Sequence, residues 1–150
     1  VNNIMEHTKQ YCSFFVGDLF FGVDVREVQE VIRYQAMTKV PLAPPEIGGL
    51  INLRGQIVTA VDLRHRLKMS ERQPDRHPMN VVIRNRDCPV SLLVDEIGDV
   101  LQPERNAFER PPETLKGVAR ELIQGVYKLK DQLLLILDTE KAVNLLCSAA

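Results

Sequence analysis

Three groups of side chains in this 150-residue sequence are of types that carry chemistry: histidines, cysteines and a run of carboxylates. His7, His65 and His77 would act as general bases or metal ligands if a Ser, Cys or carboxylate stood at catalytic or chelating spacing. No such neighbour is present, since His65 lies between Arg64 and Arg66 and His77 lies in a polar, proline-containing stretch. They read as solvated imidazoles. Cys12, Cys88 and Cys147 are too far apart for a zinc or redox motif, and their odd number leaves at least one unpaired. They read as reduced, half-buried thiols, with Cys88 in a turn before Pro89. Asp95, Glu96 and Asp99 fall within five positions, but alternating strand geometry turns them apart, so they read as a solvated edge. Gly48-Gly49 lacks the Lys-Ser/Thr pair of a phosphate loop. The expectation is a protein that is not an enzyme and takes no cofactor and no metal.

Arg54 is different. It stands between Leu53 and Gly55, where glycine can take the positive φ of a tight turn, and a core role there would require a paired charge. An arginine on a rigid turn suits recognition of carboxylates or backbone groups on another protein, although an ordinary exposed turn arginine fits the same pattern.

The elements that would hold these residues are mostly strands. Tyr11 to Val16 and Leu19 to Val23 flank Gly17-Asp18, and Gly49 to Leu53 and Gln56 to Val61 flank Arg54-Gly55, so each pair reads as a hairpin. Val81 to Ile83, Val90 to Val94, Gly125 to Leu129 and Leu133 to Leu137 read as further strands. Val25, Val28, Gln29, Val31 and Ile32 fit helical spacing with Asp24 as its cap, predicting a short helix. Pro41, Pro44 and Pro45 predict a rigid turn. Asp138 opens an expected terminal helix over 138–146, with Ala142, Val143, Leu145 and Leu146 on its apolar face.

Composition narrows the class. With 45% hydrophobic and 26% charged residues and a formal charge of −1, there is a core's worth of apolar side chains and no global excess for nucleic acid or an anionic membrane. The longest aliphatic run, Leu133 to Leu137, is far short of the ~20 residues of a spanning helix. Val1 to Tyr11 lacks the apolar centre of a secretory signal, so a cytoplasmic location is expected. Charge is uneven, with a net of +5 over residues 64–86. Without interleaved aromatics this basic stretch reads as a solvated linker, with an acidic protein partner next and a small-barrel nucleic-acid-binding protein as the different-class alternative.

An internal repeat organises the chain. GLINLRGQIVTAVDL at 49–63 matches GVYKLKDQLLLILDT at 125–139, an offset of 76 residues, and GVDVREVQEV at 22–31 echoes LVDEIGDVLQ at 93–102. The polar stretch 68–78 between them reads as an exposed connection. Two units of roughly five strands each suggest paired small β-barrels, too small to be stable unless packed together.

FFVGDLFFGVDVREVQEVI, VPLAPPEIGGLINLRGQIVTAVDLRHRL and VSLLVDEIGDVL occur in that order, and together they resemble the CheW family of chemotaxis coupling proteins. The resemblance runs from about Tyr11 to Leu146 and departs from many members at Thr59, where proline is common. It implies one domain over 11–146. That domain would be mostly β, with two five-stranded SH3-like barrel subdomains at about 11–68 and 79–138, short helices and the C-terminal helix 138–146. It also implies a stand-alone, non-catalytic adaptor without receiver domain or kinase core. Its partners would be chemoreceptor cytoplasmic tips and the regulatory domain of the histidine kinase CheA, with recruitment to membrane-associated receptor arrays. A similar coupling protein of a twitching or surface-sensing system is the alternative. By similarity, receptor contacts fall on Val28, Glu30, Arg54, Asn80, Val81 and Val82, and kinase contacts on Met37, Thr38, Lys39 and Val40.

Overall fold

A computed structural model describes residues 9–86 and 88–144 of the chain. Both expected hairpins are present. β1 (Tyr11–Val16) turns at Gly17, φ +60°, into β2 (Leu19–Asp24), and β4 (Ile47–Leu53) turns at Arg54-Gly55 into β5 (Gln56–Asp62). β6 (Met79–Asn85), β7 (Cys88–Val94) and β11 (Leu133–Leu137) contain three of the remaining expected strands, and β10 (Ile123–Lys128) covers the fourth up to Lys128, leaving out Leu129. Cys88 therefore opens a strand rather than sitting in a turn. β8 (Glu96–Leu101) and the two-residue β9 (Phe108–Glu109) were not legible as strands. At Gly98 of β8 a Cβ would strike the hydroxyl of Ser13, which donates to the carbonyl of Asp99 at 2.5 Å, so glycine lets β8 lie this close to β1 without displacing that hydrogen bond.

The expected helix after Asp24 is corrected to a single 3-10 turn, Val25–Glu27, followed by strand β3 (Val28–Ile32). Asp24 does cap that turn, accepting from the Arg26 N–H at 2.9 Å. Eight residues cannot separate the two periods by spacing alone. Four of them are β-branched, and β6 offers β3 a ladder that a lone helical turn cannot match.

The strands form a six-stranded sheet A, ordered β8-β1-β2-β11-β10-β9, and a five-stranded sheet B, ordered β3-β6-β7-β5-β4. Each sheet takes strands from both sides of the 68–78 connection, so the expected units 11–68 and 79–138 do not coincide with the sheets. The chain crosses between sheets after Asp24 and after Val94, the two places aligned by the looser sequence echo. In effect the units exchange their first hairpins: β6-β7 join β3, β4 and β5 in sheet B, and β1-β2 join β8 to β11 in sheet A. No ladder joins the edges of either sheet among the described residues, so these are sheets rather than closed barrels.

Strand alternation divides the apolar side chains into three cores. Phe14, Phe21, Val61, Leu63, Ile83, Leu92, Leu135 and Leu137 belong to the largest, which both sheets share. Tyr11, Phe20, Tyr127, Leu134 and Ile136 form a second on sheet A. Ile51, Leu53, Val58 and Val82 form a third on sheet B. Each fully buried Leu or Phe contributes about 1.5–3 kcal/mol, so the shared core is the main force joining the sheets.

The sequence repeat has a structural counterpart. Hairpin β4-β5 is followed by α1 (Leu63–Arg66), whose first turn Asp62 caps by accepting from the Arg64 N–H. Hairpin β10-β11 is followed by α3 (Thr139–Ala142), capped by Asp138 through the Lys141 N–H. Another short helix, α2 (Val118–Glu121), precedes β10. Ala142 and Val143 are buried as expected, while Leu145 and Leu146 lie outside the described residues.

Candidate functional site

Sheet B is open along one seam, and the chain closes it with side chains. β3 and β4 are its two edges. Arg54 reaches from the β4-β5 turn to Glu30 on β3, donating from its two terminal nitrogens at 2.8 and 2.5 Å to the two carboxylate oxygens. Such a forked pair is the geometry for which guanidinium is shaped. The turn holds Arg54 at φ +52° and Gly55 at φ +87°, the positive pair a two-residue hairpin requires, and the Asn52 side chain accepts from the Gly55 N–H at 2.8 Å. Arg54 remains 71% exposed while Glu30 is 19% exposed, so the guanidinium presents its outer face to solvent. The Arg54 hydrogen bonds hold the Glu30 carboxyl below its ordinary range, and Glu30 in turn raises Arg54.

The sequence therefore placed Arg54 correctly at an exposed, rigid tip, and the charge it needs comes from another predicted site residue. The other four receptor-facing candidates stand differently. Val28 is half-buried against the shared core. Asn80, Val81 and Val82 lie on β6 beside β3 but are 0%, 1% and 0% exposed, so they support the surface from beneath instead of forming it. Asn80 is a buried polar group with both ends satisfied: it accepts from the Ser91 hydroxyl at 2.7 Å and donates to the Arg33 carbonyl at 3.1 Å. This pins the chain as it leaves β3.

The stretch 37–40, the expected kinase contact, is not a free edge. Thr38 exchanges two backbone hydrogen bonds with Leu50 of β4, at 2.9 and 2.8 Å, and Met37 packs into the small core of sheet B. Lys39 and Val40 are exposed. Beyond them Leu42 is fully exposed at φ +66°, between Pro41 and Pro44, and Ile57 is exposed on β5. Thr59, at the departure from the family pattern, pairs with both Leu50 and Val90, so its N–H, which proline would lack, lies within the sheet.

Glu96 and Asp99 are exposed on the edge strand β8, as expected of a solvated edge, but Asp95 is not part of it. At the second sheet crossing it accepts from Arg64 Nε at 2.9 Å and a terminal Arg64 nitrogen at 2.7 Å, and from the Gly17 N–H at 2.6 Å. Arg72 from the 68–78 connection donates to both Asp62 oxygens at 3.0 Å, and its Nε lies 2.8 Å from Asp95 with the N–H not directed at it. Burial alone would raise the Asp95 carboxyl, but Arg64, the Gly17 N–H and Arg72 outweigh burial and hold it below the usual range. The connection is thus anchored rather than wholly solvated: Arg72, its side chain 10% exposed, is held in this cluster and Met69 packs against the shared core. The signal available in the sequence was the echo that aligns Asp95 with Asp24, since Asp24 is also paired, with Arg26 at 2.8 Å.

The remaining chemistry-bearing residues do not converge. His65 lies 3.7 Å from Glu71, and His77, exposed as expected, stacks on Tyr34 with centroids 4.2 Å apart. Burial raises the Cys12 thiol, Cys88 is exposed rather than half-buried, and Cys147 and His7 lie outside the described residues. Among the described residues no three His, Cys, Asp or Glu side chains group as a metal site. No helix among them is long and apolar enough to cross a membrane.

Known proteins share both sequence and fold with this chain. Chemotaxis protein CheW of Bacillus subtilis is 30% identical over 131 residues, covering 87% of this chain and 84% of its own length. Chemotaxis protein CheW of Treponema pallidum is 28% identical over 136 residues, covering 88% and 80%. The crystal structure of scaffolding protein TtCheW from Thermoanaerobacter tengcongensis superposes with a TM-score of 0.77 at 27% identity, covering 87% of this chain and 89% of that one. The CheW-like domain family model matches residues 10–146, which takes in both sheets, the exchanged strands and the Glu30–Arg54 seam, and so this chain belongs to the CheW family.

Proposed function

We propose that this chain is a non-catalytic adaptor that couples the cytoplasmic tips of chemoreceptors to a CheA-type histidine kinase, and is recruited through them to membrane-associated receptor arrays. The observation that carries the reading is the forked Glu30–Arg54 pair: a rigidly mounted, outward-facing guanidinium beside the exposed edge of β3. A helical receptor tip presents side-chain carboxylates and carbonyls to such a group, while Val31, 38% exposed, adds apolar contact. The kinase would meet the 37–40 stretch. Lys39 and Val40 would make the contact, with Met37 and Thr38 holding them against β4. Two arginines of the basic stretch, Arg64 and Arg72, are already paired within the chain, which weakens the case for nucleic acid.

Binding of the purified protein to a soluble receptor-tip fragment and to the kinase regulatory domain, measured separately, tests this reading. Arg54→Ala should weaken tip binding roughly tenfold or more while kinase binding and thermal melting hold. Val40→Asp should do the reverse. Unchanged tip affinity in Arg54→Ala would remove the receptor surface from this seam.

A further inference from the structure

We infer that Arg84 is a positioning residue for the seam: by clamping a β-bulge at the start of β3, it sets the face on which Glu30 meets Arg54. This rests on the adaptor reading for its consequence, but its argument is geometric. β3 pairs with β6 in a register that shifts between Val28, opposite Ile83, and Glu30, opposite Val82. Ile83 belongs to the shared core and Val82 to the small core of sheet B, so the extra residue, Gln29, is what turns Glu30 away from the shared core. A strand with period two would flip every later side chain if that residue were absorbed into the ladder. Glu30 would then face apolar neighbours, and Arg54 would lose its partner.

Edge strands slip easily unless something pins them, and β3 is an edge. One terminal nitrogen of Arg84, the residue next to Ile83 on β6, donates to the carbonyls of Arg26 at 2.9 Å and Val28 at 2.7 Å. These two carbonyls flank Glu27 and lie immediately before the bulge. On the other side the Thr139 hydroxyl of α3 donates to Glu27 at 2.8 Å. The entry to β3 is thereby held from sheet B by Arg84 and from the end of sheet A's last hairpin by Thr139. Neither residue touches the exposed face of Arg54, so both act through the strand.

The test is a thermodynamic cycle with the receptor-tip fragment, using Arg84→Ala and Arg84→Gln, each alone and combined with Arg54→Ala. Each Arg84 variant should weaken tip binding roughly 3- to 10-fold in the wild-type background and have a clearly smaller effect once Arg54 is gone, the remainder coming through Val31 on the same strand. Arg84→Lys, which can still reach one carbonyl, should recover most of the affinity. Equal losses in both backgrounds would show that Arg84 contacts the tip itself or acts on the whole fold, and would overturn the proposal. NMR titration of the Glu30 carboxyl supplies a readout independent of any partner: it should move up toward the ordinary range in Arg84→Ala. If the wild-type chain fails to bind the tip but that movement is seen, the adaptor reading fails and the positioning role stands. If the titration does not move, the positioning role fails.

Discussion

Replacing Asp95 by alanine should be among the most destabilising polar substitutions in this protein. The carboxylate receives two hydrogen bonds from Arg64 and one from the Gly17 N–H, and it faces the Nε of Arg72, all at the crossing between the sheets. Its side chain is 17% exposed, and those of Arg64 and Arg72 are 17% and 10% exposed. Removing it leaves a guanidinium edge and a backbone donor largely sequestered from water. Breaking a buried pair in this way costs about 3–5 kcal/mol, which residual solvent access reduces here to about 2–4 kcal/mol. For a domain of this size that is a fall in Tm of roughly 4–16 °C. Asp95→Asn keeps the shape and one acceptor and should cost less. Urea and thermal unfolding followed by circular dichroism and tyrosine fluorescence would measure both. The sign with pH follows from linkage. A carboxyl held below its unfolded value of about 4 contributes fully above that pH and loses its contribution as pH falls through the folded value. The gap between wild type and Asp95→Asn should therefore be full at pH 7 and narrow below about pH 4. A loss under ~0.5 kcal/mol for Asp95→Ala, the size of an ordinary surface change, would refute the reasoning.

Limited proteolysis should cut first within 73–77, the exposed part of the connection beyond the anchored Arg72, and the two fragments should still co-elute under native conditions because they exchange strands between sheets. Fragments that separate without denaturant would contradict the exchange. Leu92→Ala in the shared core should cost about 2–5 kcal/mol, against a change within ~0.5 kcal/mol for the exposed Ile57→Ala, measured by the same urea titration. Chelators and nucleotides should leave Tm unchanged, and a chelator-induced fall would expose a metal requirement.

How much of this was legible before the structure differs by element, for physical reasons. Hairpins are local: Gly17 and Gly55 supply the backbone freedom, the flanking alternation supplies the faces, and both turns lie where the sequence puts them. The repeat at offset 76 was likewise readable, since hairpin, aspartate cap and short helix are written within twenty residues each time. Arg54 could be singled out because a charge at a tight turn cannot be core.

Other features depend on contacts far apart in the chain. Val25 to Ile32 carries both helical and strand periodicity, and the ladder with β6, about fifty residues away, decided in favour of the strand. Asp95 looked like surface because its arginine partners lie 31 and 23 positions earlier, on elements whose approach only packing sets. Asn80, Val81 and Val82 looked like part of a receptor surface, but both faces of β6 pack into cores, Val81 in the shared core and Val82 in the small core of sheet B. Local conformational preference was determined by the sequence alone. Which strand lies beside which, and hence which charges meet, is set by burial of one shared core, a property of the whole chain.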